Sequence, residues 1–513
     1  MPVRAPLRAR NAACAVVVPA VARTRERPVL GPIQFCRGLM PSTFSVNRSR
    51  ARCAVCFALG TSVLLLISAR ASHGQVVPVR PLGRDVSVYQ PAPGEPGRHE
   101  APSFQNPTGD VSLRETIALA LFHNPRLAAF AWEVRAREAA AVQASQRPNP
   151  ALEILLSDFG ARQFAGGGIN EAVQRQVTIQ LSQLIELGGK RAARLALADR
   201  ERDLAAWDYE TVRIDVLTDV SRAFTDVLAA QETVSLTEET AQLVEHVQES
   251  VSARVIAGVV SPIEETRATV ALAAVRIESA RARRALAASR TRLALLWGSS
   301  TPAFRVVVGD LTSEPAPLPR FADLMGQIEQ SPELARWAAE LSQREAALAV
   351  ERSQRVPDVS VAAGYRRFTD VDSNAFLVGA SIPLPFFDRN RGGIEEARSR
   401  VAKVYEERRA AQARGTAALA DAYEVLASAY DEVAALRSGV LPGSEHAFDA
   451  VTEGYRLGRF DFLDVLDAQR TLIGAGRQHL RALSDYHKAV ANVERLIGAP
   501  LPVPADAPTT ARE

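Results

Sequence analysis

QVTIQLSQLIELGGKRAARLALA, residues 176–198, changes its periodicity halfway along. Val177, Ile179 and Leu181 alternate with Thr178, Gln180 and Ser182, the two-residue period of a half-buried strand over 176–184. After Gly188 and Gly189 neither Gly nor Pro occurs until Gly258. That interval predicts one helix on the order of 100 Å long at 1.5 Å per residue. An ordinary globular domain has no room for such a rod. Its apolar residues fall on two seams: Val216, Val220, Ala223, Val227, Ala230 and Val234 step by four and three, with Ile214, Leu217, Phe224 and Leu228 alongside. Two seams require neighbours on both sides, as in a wall of helices, where a two-stranded coil needs one.

The same organisation is written twice. His123-Asn-Pro-Arg-Leu127 returns as Gln330-Ser-Pro-Glu-Leu334, and SQRPNP (145–150) as SQRVPD (353–358). Gly258 and Gly298 return 200 residues later as Gly458 and Gly498. A period this long predicts a duplicated domain, not a solenoid of ~20–50-residue units. Each half begins with a helix, 112–146 and 321–354, then two strands. Leu152, Ile154 and Leu156 mark one; Val359, Val361, Ala363 and Tyr365 another; Phe376, Val378, Ala380 and Ile382 the last. Gly166 to Gly168 and Asp370 to Asn374 supply the turns. Helices 263–297 and 460–497 follow the long segments. The predicted boundaries are a leader over 1–74, a proline-rich linker over 75–109, repeat 1 over 110–299, a linker over 300–320, repeat 2 over 321–500 and a tail over 501–513.

The leader explains the charge. The chain has 61 basic and 58 acidic residues, but eleven arginines and one acid lie in 1–74, leaving 50 basic and 57 acidic beyond it. The basicity therefore gives no case for nucleic acid. CAVCFALGTSVLLLISA (53–69) is uncharged, follows Arg48, Arg50 and Arg52, and precedes small residues, the pattern of a cleaved signal peptide. It is shorter than the ~20 residues of a spanning helix. Starting at Met40 gives this leader ordinary proportions. All four cysteines lie in the leader, so the exported chain is expected to hold no disulfide or thiolate site.

Strands of nine or ten residues with one aliphatic face suit a membrane barrel, which needs ~9–11 residues per crossing. Four strands cannot close one, because open edges leave backbone groups unsatisfied in lipid. If these strands enter a membrane, several copies share the barrel.

Three segments then carry a resemblance over nearly all of 110–500: ELGGKRAARLALA (186–198), IPLPFFDRNRGGIEEA (382–397) and YRLGRFDFLDVLDAQRTL (455–472). The chain resembles the TolC family of outer-membrane efflux proteins, and within it the CzcC-like branch serving heavy-metal efflux. The resemblance implies a mainly α fold with a membrane β-barrel: a homotrimer with twelve strands in the outer membrane, continuing as an α-helical barrel through the periplasm. It implies a periplasmic adaptor and an RND-type, proton-driven inner-membrane pump as partners and outer-membrane lipid around the barrel; with the charge balance above and the motif failures below, no nucleic acid, no cofactor and no enzymatic activity are expected. Asp464 and Asp467 would line the periplasmic constriction facing the axis, a ring that attracts cations. Glu264 matches Asp464, six residues past its glycine, whereas Arg267 stands where Asp467 would be. RVIAGVVS (254–261) resembles the tip that meets the adaptor, with Arg254, Gly258, Val259 and Ser261 at the contact; Tyr455 and Gly458 belong to the companion tip.

Rival motifs fall short. Gly188-Gly189-Lys190-Arg191 lacks the phosphate-loop spacing, and Gly379-Ala-Ser381-Ile-Pro383 lacks the last glycine of a nucleophile elbow. His479 and His487, eight apart, have no neighbouring metal motif, so no tight metal site is expected. Two other functions compete: a TolC-type duct for drugs or proteins, and an exported helical scaffold or adaptor.

Overall fold

The computed structural model describes residues 106–157, 175–313, 315–369 and 372–502. The leader, most of the first linker and the tail, Gly166 to Gly168, and Asp370 with Val371 lie outside the described residues. A two-residue strand, β1 (Val111–Ser112), leads into α1 (Leu113–His123) and α2 (Pro125–Ala144). Strands β2 (Ala151–Ser157) and β3 (Gln176–Ile185) follow, then α3 (Lys190–Ile256) and α4 (Pro262–Leu295). After β4 (Val307–Val308) come α5 (Phe321–Ile328), α6 (Pro332–Ser353), β5 (Val359–Phe368), β6 (Ser373–Ser381) and α7 (Arg391–Ala435). A π-turn, Leu436–Val440, joins α7 to α8 (Leu441–Arg456), and α9 (Phe462–Ile497) ends the order.

The long rod is real: α3 runs 67 residues without interruption. Its start depends on Gly188 and Gly189, at φ +69° and +74°, a conformation that penalises any Cβ. At Gly188 a Cβ would also lie 2.7 Å from Val356 Cβ. Lys190 then anchors the turn through an ion pair to Asp358 Oδ1 at 2.7 Å.

Three expectations need correction. The opening helix of each half is two helices. Asn124 precedes Pro125, which disfavours the α conformation, and it sits at φ −66°, ψ 120°. Its Oδ1 accepts the N–H groups of Arg126 and Leu127, so the residue that stops α1 also caps α2. In the second half α5 ends at Ile328, and Ser331 before Pro332 caps α6, its hydroxyl accepting the Leu334 N–H. The long helix of the second half is interrupted as well, at the π-turn. The third correction is an addition, the parallel pair β1–β4, too short to leave a periodic signal.

One antiparallel sheet holds the longer strands in the order β2-β3-β5-β6. Register puts Leu152, Ile154 and Leu156 opposite Leu181, Ile179 and Val177; Ile179 faces Tyr365, which faces Phe376. One face is thus apolar across its middle rows, bounded by Arg367 and Asn374 at one end and Gln183 at the other, and it is exposed, Phe376 and Val378 at 89% each. The other carries Glu153, Gln180, Thr178, Ser182 and Arg366. The outer edges of β2 and β6 have no partner strand among the described residues.

The main core lies between helices. Phe224 and Val227 of α3, Leu293 and Trp297, Leu419 and Leu426 of α7, and Leu483 and Val493 of α9 are buried in one cluster. It roots two helical hairpins, α3–α4 and α8–α9. No helix among the described residues is long and apolar enough to cross a membrane.

Candidate functional site: the paired hairpin tips

Both hairpins end in the same backbone device. Gly258 and Gly458 each have φ +71°. In the first tip the Gly258 N–H donates to Val255 O (2.9 Å) and Val259 N–H to Arg254 O (2.9 Å). In the second, Gly458 N–H donates to Tyr455 O (3.0 Å) and Arg459 N–H to Gly454 O (2.8 Å). This pair of bonds satisfies carbonyls that a helix end otherwise leaves open, and it needs a left-handed residue at that point. Ser261 then caps α4, its hydroxyl accepting the Ile263 N–H, with Pro262 at the first helical position.

Side chains join the tips across the 200-residue offset. The Arg254 guanidinium lies 4.5 Å from the centroid of the Tyr455 ring. The Tyr455 hydroxyl donates to Glu264 Oε2 at 3.5 Å, a long bond. Tyr455 also packs on Phe462, centroids 5.9 Å apart. Beneath them Val251, Ala268, Phe462 and Leu466 form a small buried cluster. Burial pushes the Tyr455 phenol above its ordinary value; the Arg254 charge opposes this and Glu264 adds to it. The phenol therefore stays protonated and able to donate.

The structure brings Arg254, Glu264 and Tyr455 together and leaves Gly258, Val259, Ser261 and Gly458 exposed on the turns. Asp464 and Asp467 are exposed one turn apart at the start of α9. Asp464 also has a local role that sequence reading missed: Asp461 N–H donates to its Oδ2 at 3.0 Å, the returning arm of a helix-start box. Asp-x-x-Asp can be read from residues 461–464, although Glu or Gln is the usual last member. Gly454 was missed too; a Cβ there would collide with the Phe460 ring. Among the described residues no three His, Cys, Asp or Glu side chains converge to hold a metal ion.

Long antiparallel helices that continue from a sheet apolar on its exposed face fit a channel-type envelope protein. The sequence pattern of the outer membrane efflux proteins matches residues 116–299 and 327–499, and the chain belongs to that family. It is thus an outer-membrane protein whose helical part extends into the periplasm of a Gram-negative cell. The cobalt-zinc-cadmium resistance protein CzcC of Cupriavidus metallidurans is 36% identical over 82% of this chain and 98% of its own length. The nickel-cobalt-cadmium resistance protein NccC of Alcaligenes xylosoxydans is 28% identical over 68% of this chain and 74% of its own. Among solved structures, CusC aligns with a TM-score of 0.63 at 19% identity, covering 80% of this chain and 99% of that one. The last comparison supports the fold.

Proposed function

We propose that this chain is the passive outer-membrane exit duct of a three-part, proton-driven efflux assembly, with heavy-metal cations as cargo. One observation carries the duct: a four-stranded sheet with an exposed apolar face and two edges that have no partner strand among the described residues. A lone copy would leave edge N–H and C=O groups in lipid without partners, each costing several kcal/mol. Pairing β6 of one copy with β2 of the next removes both edges. Three copies give twelve strands, within the range of closed membrane barrels. Residues 110–299 and 321–500 are then two versions of one unit, joined by 300–320 and preceded by the 75–109 linker. The cargo reading draws support from the metal-resistance names of the two relatives above and from the acids at the tips.

In the trimer Asp464 and Asp467 set six carboxylates around the axis at the periplasmic mouth. Glu264, held by Tyr455, adds three more behind them. Such a ring concentrates divalent cations, and water must screen it because like charges stand close. The exposed turns around Gly258, Val259 and Ser261, with Gly458 nearby, offer the docking surface for a periplasmic adaptor, which links the duct to an RND-type pump. No step requires a catalytic residue, and the chain acts as a conduit, not an enzyme.

Deleting the gene and exposing cells to zinc, cobalt, cadmium and a drug panel tests cargo. Lost metal tolerance, restored by the intact chain, is expected; unchanged metal tolerance with new drug sensitivity overturns the metal reading.

A further inference from the structure

Beyond Ser381 the apolar character of β6 does not stop. Phe376, Val378 and Ala380 lie on the exposed apolar face, and the two-residue phase continues into Ile382, Leu384 and Phe386. Leu384, Phe386 and Phe387 are 67%, 70% and 102% exposed. The segment is nonetheless fixed. Phe386 N–H donates to Leu384 O (2.9 Å), and Arg389 Nε–H to Pro385 O (3.1 Å). Asn390, left-handed at φ +51°, donates from Nδ2 to the Glu351 carbonyl (2.9 Å) and carboxylate (2.6 Å). Two phenyl rings are thus held away from every hydrophobic core cluster among the described residues, an arrangement that hydration disfavours.

Charge identifies the cover. Arg355 lines one cavity with Phe387, beside the Lys190–Asp358 ion pair, and Arg389 and Arg391 follow the rings in the chain; all three arginines are exposed and make no ion pair among the described residues. Asp388 is the one acid between Phe387 and Arg391, and its Oδ1 accepts the Asn390 N–H at 2.9 Å. Apolar rings bordered by guanidinium groups, at the end of a lipid-facing strand, match the boundary where acyl chains meet phosphate headgroups.

We propose that Phe386 and Phe387 insert into the periplasmic leaflet of the outer membrane, and that Arg389 and Arg391 hold phospholipid phosphates there, with anionic lipid preferred. The inference rests on the sheet being the lipid-crossing element. It assigns the strand-to-helix segment a second task, fixing the depth of the duct against the bilayer.

The test uses Phe387→Trp and, as reference on the strand face, Phe376→Trp, each reconstituted in phosphatidylcholine vesicles. Fluorescence is taken as the difference from the parent protein. Both tryptophans are expected to be quenched by brominated lipid, Phe387→Trp more by bromine near the headgroup than by bromine deep in the chain. Brominated phosphatidylglycerol should quench Phe387→Trp about twofold more than brominated phosphatidylcholine, a preference lost in Arg389→Ala/Arg391→Ala. Quenching of Phe376→Trp without Phe387→Trp means that a second copy or water covers the rings, and overturns the proposal. Equal quenching by the two lipids refutes the preference for anionic lipid. Failure of both tryptophans to quench removes the membrane placement of the sheet itself.

Discussion

The two hairpins share one tip and differ in their shafts. In α3–α4 the outgoing helix is unbroken for 67 residues and contains neither glycine nor proline. In α8–α9 the outgoing path is cut by the π-turn at 436–440, with Gly439, Pro442 and Gly443 at the cut, and the return helix carries Gly474 and Gly476. Buried polar atoms follow the same division. Thr452 Oγ1, Gln469 Nε2, Arg477 Nε and His479 Nδ1 of the second hairpin have no hydrogen-bond partner among the described residues, against Arg290 Nε in α4 of the first. Glycine in a helix interior costs up to about 1 kcal/mol relative to alanine, and π-turns weaken the local ladder. Equal tips on unequal shafts therefore place compliance in the second hairpin and stiffness in the first.

Substitutions at the shared root should erase the contrast and have the largest effect. Leu293 in α4 and Leu483 in α9 are both almost fully buried in one core cluster. Leu293→Ala and Leu483→Ala should each cost about 2–5 kcal/mol, read as a loss of thermal or denaturant stability of the purified protein. Unequal losses, with Leu483→Ala nearly silent, would mean that the second hairpin is not rooted where the first is.

Next in size is the one tip position where the two differ most in bulk. Gly454 packs against Phe460, while its counterpart Arg254 carries a full side chain. Gly454→Ala must displace the Phe460 ring and should cost about 1–3 kcal/mol. Limited proteolysis should then cut near 457–461 and spare 257–261; cutting at both tips would show that they move together.

Asp464 and Asp467 separate the local role from the shared one. Asp464→Ala loses the bond from Asp461 N–H and should cost about 1 kcal/mol of α9 stability, whereas Asp467→Ala should cost under about 0.5 kcal/mol. Both should weaken divalent-cation block in single-channel recordings. A block unaltered in the double variant would place neither at the mouth.

The smallest effect expected is a slope with pH. Burial pushes the His487 imidazole below its ordinary value, while its bond to Leu311 O and the Asp310 charge pull the other way. The folded state thus favours the neutral ring, and the unfolded chain takes up the proton first. This stabilising contribution is full above about pH 6.5, declines as acidification proceeds, and is lost once the folded-state value is passed. His487→Gln should flatten that part of the pH–stability profile. Residue 287, at the same offset in the first hairpin, is alanine and titrates nothing.

Much of this was legible in the residues. Period-two alternation located the strands, and the absence of Gly and Pro located α3, because those signals are local and long. The breaks at Asn124 and Ser331 were visible as Asn-Pro and Ser-Pro, yet helical composition on both sides masked them. The break at the π-turn was marked in the sequence by Gly439, Pro442 and Gly443, but the helical residues on both sides hid it as they hid the other two. At the tips, glycine spacing gave the turns, but the contact of Tyr455 with Arg254 and Glu264 depends on tertiary packing. Asp464 was read as a charge, and its helix-start role was overlooked because Asp is an unusual last member of the Asp461-x-x-Asp464 pattern.

The central claim, that the open edges of β2 and β6 are closed by further copies, is tested most directly by joining those edges. Glu153→Cys and Leu377→Cys lie on one register row at opposite edges, about 14 Å apart across three strand spacings. Zero-length oxidative cross-linking of the detergent-purified double variant should give a covalent ladder that ends at three chains, and the cross-linked species should conduct ions in planar bilayers. A product that remains a single chain, or a ladder that continues past three, would contradict a closed trimeric duct.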